Sequence, residues 1–196
     1  FTQLQEVFFN IIDNAYDAGV IAINSSLRAR NCLISNCGKN LYLVQGGTYQ
    51  FTHCTVVTYA NRFIEHKEPV LTLSNTANSI TNSLDAVFRN CIFWGENGVV
   101  TDEVLVQKSG SSSFNVNFDY NLWKVETPPA NSTITQAINN QAPLFDSINT
   151  SDNYYDFRLK TGSPALNKGV NAGILTDLDG KVRPVGLPDL GSFEKQ

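Results

Sequence analysis

The chain of 196 residues contains no methionine and only two histidines, and charged side chains make up just 16% of it, against roughly 25% in an average soluble domain. The missing methionine, absent even at position 1, points to residue 1 lying inside a longer precursor, with which any secretory signal would have been lost. Two histidines and four cysteines, with no histidine at ligand spacing from a cysteine pair, argue against a structural metal site. No apolar run approaches the roughly 18 residues that a spanning helix needs, so no membrane span is expected. With a net charge of −4, a pI near 5.1 and 14 scattered Lys and Arg, there is no basic stripe to neutralise phosphates, which argues against a nucleic-acid partner.

What the chain has instead is neutral polarity, with 22 Asn, 15 Ser and 15 Thr, the balance of a turn-rich β protein. Its length is ample for a buried core. One phrase recurs: Ala29-Arg30-Asn31-Cys32-Leu33-Ile34, Phe51-Thr52-His53-Cys54-Thr55-Val56 and Phe88-Arg89-Asn90-Cys91-Ile92-Phe93, with weaker copies at Phe8–Ile12 and Asn117–Leu122. The cysteines are 22 and 37 residues apart. The shorter interval fits one circuit of a β-solenoid, and the longer one fits a circuit with a loop inserted at about residues 60–69. Short apolar segments precede the phrase at Val20–Ile23, Leu41–Val44, Val70–Leu73 and Val104–Val106, the length of strands and too short for helices. Cys32 and Ile34 share a side, as do Cys91 and Phe93. Phe51 and Phe88 lie an odd three residues before the cysteines, so a bend intervenes at Asn31, His53 and Asn90, where asparagine tolerates the left-handed conformation. Stacking at the ordinary strand spacing of about 4.8 Å would make Cys32, Cys54 and Cys91 a buried ladder of small hydrophobes. Parallel side-chain vectors disfavour a disulfide, although one involving Cys37 is the alternative.

From Pro143 the text changes. Ala142-Pro143-Leu144-Phe145-Asp146, the run Tyr155 to Gly169 containing Asp156-Phe157-Arg158-Leu159 and Gly162-Ser163-Pro164-Ala165-Leu166, then Thr176-Asp177-Leu178-Asp179-Gly180-Lys181-Val182-Arg183-Pro184, and Asp189-Leu190-Gly191-Ser192-Phe193-Glu194 follow in order. This set resembles the C-terminal signature of bacterial right-handed parallel β-helix proteins. The upstream Tyr49–Thr55 and Pro69–Leu73 segments are similar to exported, pectin-lyase-like members from Bacteroidetes. The resemblance implies an all-β, right-handed parallel β-helix of about four to five coils over residues 1–125, with the insertion at 60–69. Residues 126–196 would be a C-terminal capping segment, the whole forming one structural domain of a longer protein. It also implies export, either secreted or anchored at the outer-membrane surface, and carbohydrate as the commonest ligand class. It implies no activity, because this fold hosts lyases, hydrolases, adhesins and stalks alike. A last coil left bare would expose a sheet edge and an apolar core. Phe145, Phe157, Leu159 and Phe193 are expected to cover them.

The densest ionisable cluster is Asn61 to Glu68, in which Arg62, His66 and Lys67 are candidates for a base or for contacts to an anionic sugar. A solvated excursion is the competing reading. Arg28, Arg30 and Arg89 lie near the repeated bend and are read as a solubilising outer row. Flat rings stack on sugar faces, which makes Tyr42, Trp94 and Trp123 candidate ligand contacts, with Tyr16 and Tyr59 behind them; alternation predicts both tryptophans outside the coil. Asp177 and Asp179 before Gly180 resemble the start of a calcium loop, but the closing glutamate is missing, so a capped turn is favoured, with no cofactor and calcium as the alternative. The leading expectation is a module that interacts with a polysaccharide or cell-surface glycan without catalysis. A uronate-eliminating polysaccharide lyase and a purely structural stalk or adhesin segment are the alternatives.

Overall fold

In the computed structural model, which describes residues 3–184 and 186–196, short apolar runs separated by Asn- and Gly-bearing turns form strands, and no helix occurs among the described residues. One sheet contains β1 (Leu4–Phe8), β3 (Ala18–Arg30), β5 (Lys39–Thr52), β10 (Leu84–Arg89), β13 (Phe114–Asp119) and β15 (Thr133–Thr135) in that order. In the same sheet β7 (Leu71–Ser74) pairs with the first half of β5, and β12 (Val104–Gln107) pairs with β7. The second sheet runs β2 (Ile11–Asp13), β4 (Leu33–Ser35), β6 (Thr55–Tyr59), β11 (Ile92–Glu96), β14 (Leu122–Trp123) and β16 (Ile138–Asn139). All pairings in both sheets are parallel. Two hairpins are antiparallel: β8 (Thr76–Ala77) with β9 (Ile80–Thr81), and β17 (Phe145–Asn149) with β18 (Tyr154–Leu159).

The chain visits the two sheets in the same order on each pass, so every strand lies beside the strand of the next pass. Leu4 faces Ser26 and Ile11 faces Leu33, each 22 residues on, and both sheets repeat that step to Thr48 and Thr55. These long parallel sheets are compatible with a β-helix. The step from Thr55 to Ile92 is longer because it holds two insertions, the loop over 60–69 and the β8–β9 hairpin, of which only the first is legible as an interruption of the repeat. Leu122 opposite Ile138 carries the parallel ladder to β16, past the expected boundary at 125.

One residue per pass makes the bend between the sheets. Phe9, Asn31, His53, Asn90, Tyr120 and Gln136 all have φ between 49° and 56°. The ladder runs through the bend unbroken, since Asn31 N–H donates to Thr52 O at 3.1 Å, His53 N–H to Arg89 O at 3.0 Å and Asn90 N–H to Asp119 O at 3.0 Å. At these bends the left-handed residue keeps its backbone hydrogen bond where the chain changes direction. A second corner lies inside β3 and β5, and in β5 it needs glycine: Gly47, opposite Ser25, has φ 121°, and a Cβ there would stand 2.4 Å from Ser25 O.

Between the inner faces lies a core of like residues in rows. Phe51, Phe88 and Phe118 stack at 5.4 and 5.0 Å, and Cys32, Cys54 and Cys91 are buried free thiols, as is Cys37. Trp123, expected outside, is fully buried in this core with its ring 5.0 Å from Phe118, because it pairs with inward-facing Phe93.

A second core forms outside. The outer side of the second sheet carries Leu33, Val57, Ile92, Trp94 and Leu122, and Phe145, Phe157, Leu159, Ala165, Leu190 and Phe193 pack on it. A sheet apolar on both faces needs a cover on both. The C-terminal segment thus lies along the flank of the stack, rather than only across its last coil as the sequence predicts.

Phe88→Ala removes the middle ring of the phenylalanine row. It is expected to cost about 3–5 kcal/mol, read as a lower urea midpoint at unchanged slope.

Candidate functional site

Corner turns stack where the second sheet returns the chain to the first. Asn14 and Asn36, both left-handed, donate N–H to Ser35 O at 3.1 Å and Val57 O at 2.9 Å. Gly38 is required in this stack, since a Cβ would stand 2.4 Å from Tyr16 O. Asn40 closes the corner from inside, donating to Ile34 O and Val57 O and accepting from Thr58 Oγ1. On the next pass the same corner carries the inserted loop. Asn61 Oδ1 accepts the N–H groups of Phe63 and Ile64, while its Nδ2 donates to Asn153 Oδ1 and Tyr155 Oη, tying the loop to the C-terminal hairpin. Along this loop Phe63, Glu65 and Lys67 are exposed and Ile64 and His66 are buried, a strict alternation.

Between the two corner turns and the loop runs an open groove of about 450 Å³, lined by Tyr16, Asp17, Lys39, Arg62, Phe63 and Lys67 among others. Tyr16 is 87% and Phe63 56% exposed. The groove's charges are balanced: Lys39 lies 4.0 Å from Asp17, Lys67 pairs with Glu65, and the Arg62 guanidinium sits 4.6 Å over the Phe63 ring. Such exposed pairs contribute little to stability. The groove offers flat rings beside donor-rich cations, a surface for stacking and hydrogen bonding, and no histidine lines it.

The structure brings Arg62 and Lys67 together on this groove and turns His66 away from it, into a buried contact with Glu103. Tyr42 is half-buried beside it, its ring 5.5 Å from Lys39 Nζ. Trp94 points outward as predicted but is covered within the outer core, so it presents no ring face, and Trp123 is inside. Tyr59 is buried against Phe145, Tyr155 and Phe157. Phe63 escaped the sequence reading, although a bare aromatic amid charges was a usable signal. Arg28, Arg30 and Arg89 do not form a free cationic row: Arg28 pairs with Glu6, Arg30 sits over the Phe8 ring, and Arg89 pairs with Asp119. Asp177 Oδ1 accepts the N–H groups of Asp179 and Lys181, its Oδ2 accepts that of Glu194, and Asp179 pairs with Arg158, so protein donors fill these carboxylates. Among the described residues no group of three or more His, Cys, Asp or Glu is placed to hold a metal ion.

A second polar cluster is buried where the C-terminal segment crosses the row of bends. Arg183 donates to Glu194 Oε2 at 2.8 Å, Asn31 Oδ1 at 3.1 Å and Gly191 O at 2.9 Å. Asn90 Nδ2 donates to Val170 O at 2.7 Å and lies 2.9 Å from His53 Nε2, and Asn90 Oδ1 accepts Val170 N–H. Burial, reinforced by the Arg183 charge, holds the His53 imidazole down at about 3, and burial together with Asp189 pushes the Glu194 carboxyl up to about 7. Bonded across to one another and to backbone through Arg183, Glu194, Asn31 and Asn90, this cluster is a seam that fastens the segment.

Against this geometry, no protein-family model matches the chain, and no curated protein matches it either.

The seam predicts two opposed pH dependences. A base whose pKa falls on folding adds stability that is full above its ordinary value of 6.5 and is lost as pH drops toward about 3. A carboxyl whose pKa rises adds stability that is full below its ordinary value of 4.5 and is lost as pH climbs to about 7. Between those ordinary values the two oppose each other. In denaturant titrations across pH, His53→Asn should unmask the decline with rising pH due to Glu194, and Glu194→Gln should unmask the rise due to His53.

Proposed function

We propose that this chain is a right-handed parallel β-helix module of an exported protein, secreted or held at the outer-membrane surface and of the pectin-lyase-like kind met in Bacteroidetes, that binds a polysaccharide or cell-surface glycan without turning it over. The carrying observation is the groove in which exposed Tyr16 and Phe63 stand beside Lys39, Arg62 and Lys67. Sugars offer a flat, weakly polar ring face and a rim of hydroxyls, which aromatic faces and cationic donors match. The strand register, with like residues in rows one pass apart, supports the β-helix reading. The lyase alternative loses its best proton acceptor, since His66 is buried and bonded to Glu103, and Lys67 is paired with Glu65.

A glycan array followed by calorimetry on the best binder tests this reading. Tyr16→Ala and Phe63→Ala should each weaken binding by about tenfold, equivalent to about 1.4 kcal/mol, while Tyr154→Ala, exposed elsewhere on the surface, leaves it unchanged. An empty array returns the chain to the stalk reading. Unsaturated product from a uronate polysaccharide, abolished by Lys67→Ala, makes it a lyase.

A further inference from the structure

We propose that His66 and Glu103 form a buried imidazolium–carboxylate clamp that positions the groove loop, so that the groove keeps its shape only while that pair is intact. The consequence for ligand binding rests on the groove reading above; the clamp itself does not.

The argument starts from what the two ring nitrogens face. His66 Nε2 lies 3.1 Å from Glu103 Oε2, and Nδ1 lies 3.3 Å from the backbone oxygen of Glu96. Both neighbours are acceptors. A neutral imidazole has one N–H and one lone pair, so either neutral tautomer would aim a lone pair at an oxygen; the doubly protonated ring satisfies both contacts. Glu103 Oε2 also accepts the N–H of Val70 at 3.3 Å, while Oε1 is buried without a hydrogen-bond partner, so Oε2 is the oxygen on which the donors converge. The His66 and Glu103 side chains are 1% and 0% exposed. Two charges taken that far from water persist only as a hydrogen-bonded pair.

The surroundings are built around this pair. A Cβ on Gly95 would stand 2.2 Å from both Glu103 Oε1 and His66 Cε1, and one on Gly98 would stand 2.3 Å from His66 O, so glycine is needed at both positions for the chain to close over the clamp. Val99 N–H donates to His66 O, Leu71 N–H donates to Glu103 O, and Glu103 N–H donates to Lys124 O. The clamp therefore ties the loop to the starts of β7 and β12 and the end of β14. The nearby charges are otherwise committed: the Glu96 carboxylate pairs with Lys124 at 3.3 Å, and Glu65 pairs with Lys67 on the exposed side of the loop. Because Ile64 and His66 are the buried members of the alternation, loosening His66 loosens Arg62, Phe63 and Lys67 with it. Removing either member leaves the other buried without its partner charge, which is the unfavourable half of a broken pair.

Two histidines make the test direct. Nitrogen-15 correlation spectra of the imidazoles at neutral pH should show His66 as an imidazolium and His53 as neutral, with His53→Asn making the assignment. A neutral tautomer at His66 in the folded chain overturns the proposal. Glu103→Gln should turn His66 neutral and speed amide exchange across residues 62–68 by at least about a hundredfold, the small end of what breaking a buried pair costs, while β5 stays protected. Unchanged loop exchange also overturns it. If that variant does not fold, His66→Gln should release the same amides, and their continued protection is the overturning result. An array glycan that binds the wild-type chain should bind that variant more weakly. An imidazolium at His66 with no glycan bound leaves the clamp standing and removes the glycan reading alone.

Discussion

Everything in this molecule depends on one backbone requirement: once per pass, a single residue must take a left-handed conformation and still donate its N–H to the next pass. Six residues take that conformation with nearly the same φ, and five of them, Phe9, Asn31, His53, Asn90 and Tyr120, donate to the next pass. Because the donor at the bend continues the ladder, both sheets advance in a common register, and a slip in one would break the hydrogen bonds of the other. The bend also explains the composition. Among the described residues, eleven of the chain's 22 asparagines have positive φ. A short amide that hydrogen-bonds its surroundings is the least costly side chain there after glycine.

The same bend aims side chains sideways, and this determines where the C-terminal segment lies. Asn31 and Asn90 offer an amide each to the backbone of that segment, at Thr176 O and Val170 O, and Arg183 reaches back to Asn31. Apolar residues on the outer side of the second sheet complete the attachment. Satisfying the polar groups of the bends and covering the outer face are thus one event. It also explains why Trp94 and Tyr59, which alternation correctly turns outward, are unavailable to a ligand: the flank they occupy is the covered one.

The repeat, the bend residues and the buried cysteine row were legible because they are periodic, and a period survives in the text even when individual residues vary. Trp123 departs from the expectation because the last copy of the phrase is degenerate, lacking the cysteine that marks the register. Setting Phe118 against Phe88, as the ring stack does, drops Trp123 into the inward place of Phe93. The β8–β9 hairpin was missed because an insertion of polar residues into a polar turn leaves no mark beyond added length. The partnership of His66 was illegible for a different reason. Glu103 lies 37 residues away on a later pass, and nothing in either local sequence states which pass the loop will fold against.

That difference says where function can reside in such a chain. Ladder positions answer to neighbours above and below, so each residue there is constrained twice over and little freedom is left for chemistry. The corner that returns the chain from the second sheet to the first admits insertions without disturbing the register, as the loop over 60–69 does between β6 and β7. A loop free enough to carry Arg62, Phe63 and Lys67 into solvent is also free enough to wander. A buried charge pair beneath it, directional and intolerant of displacement, is the kind of contact that fixes one arrangement where apolar packing alone would allow several. In a chain with so few charges, the burial of His66 with Glu103 under the loop over 60–69 is a part of the composition that periodicity does not explain and that positioning does.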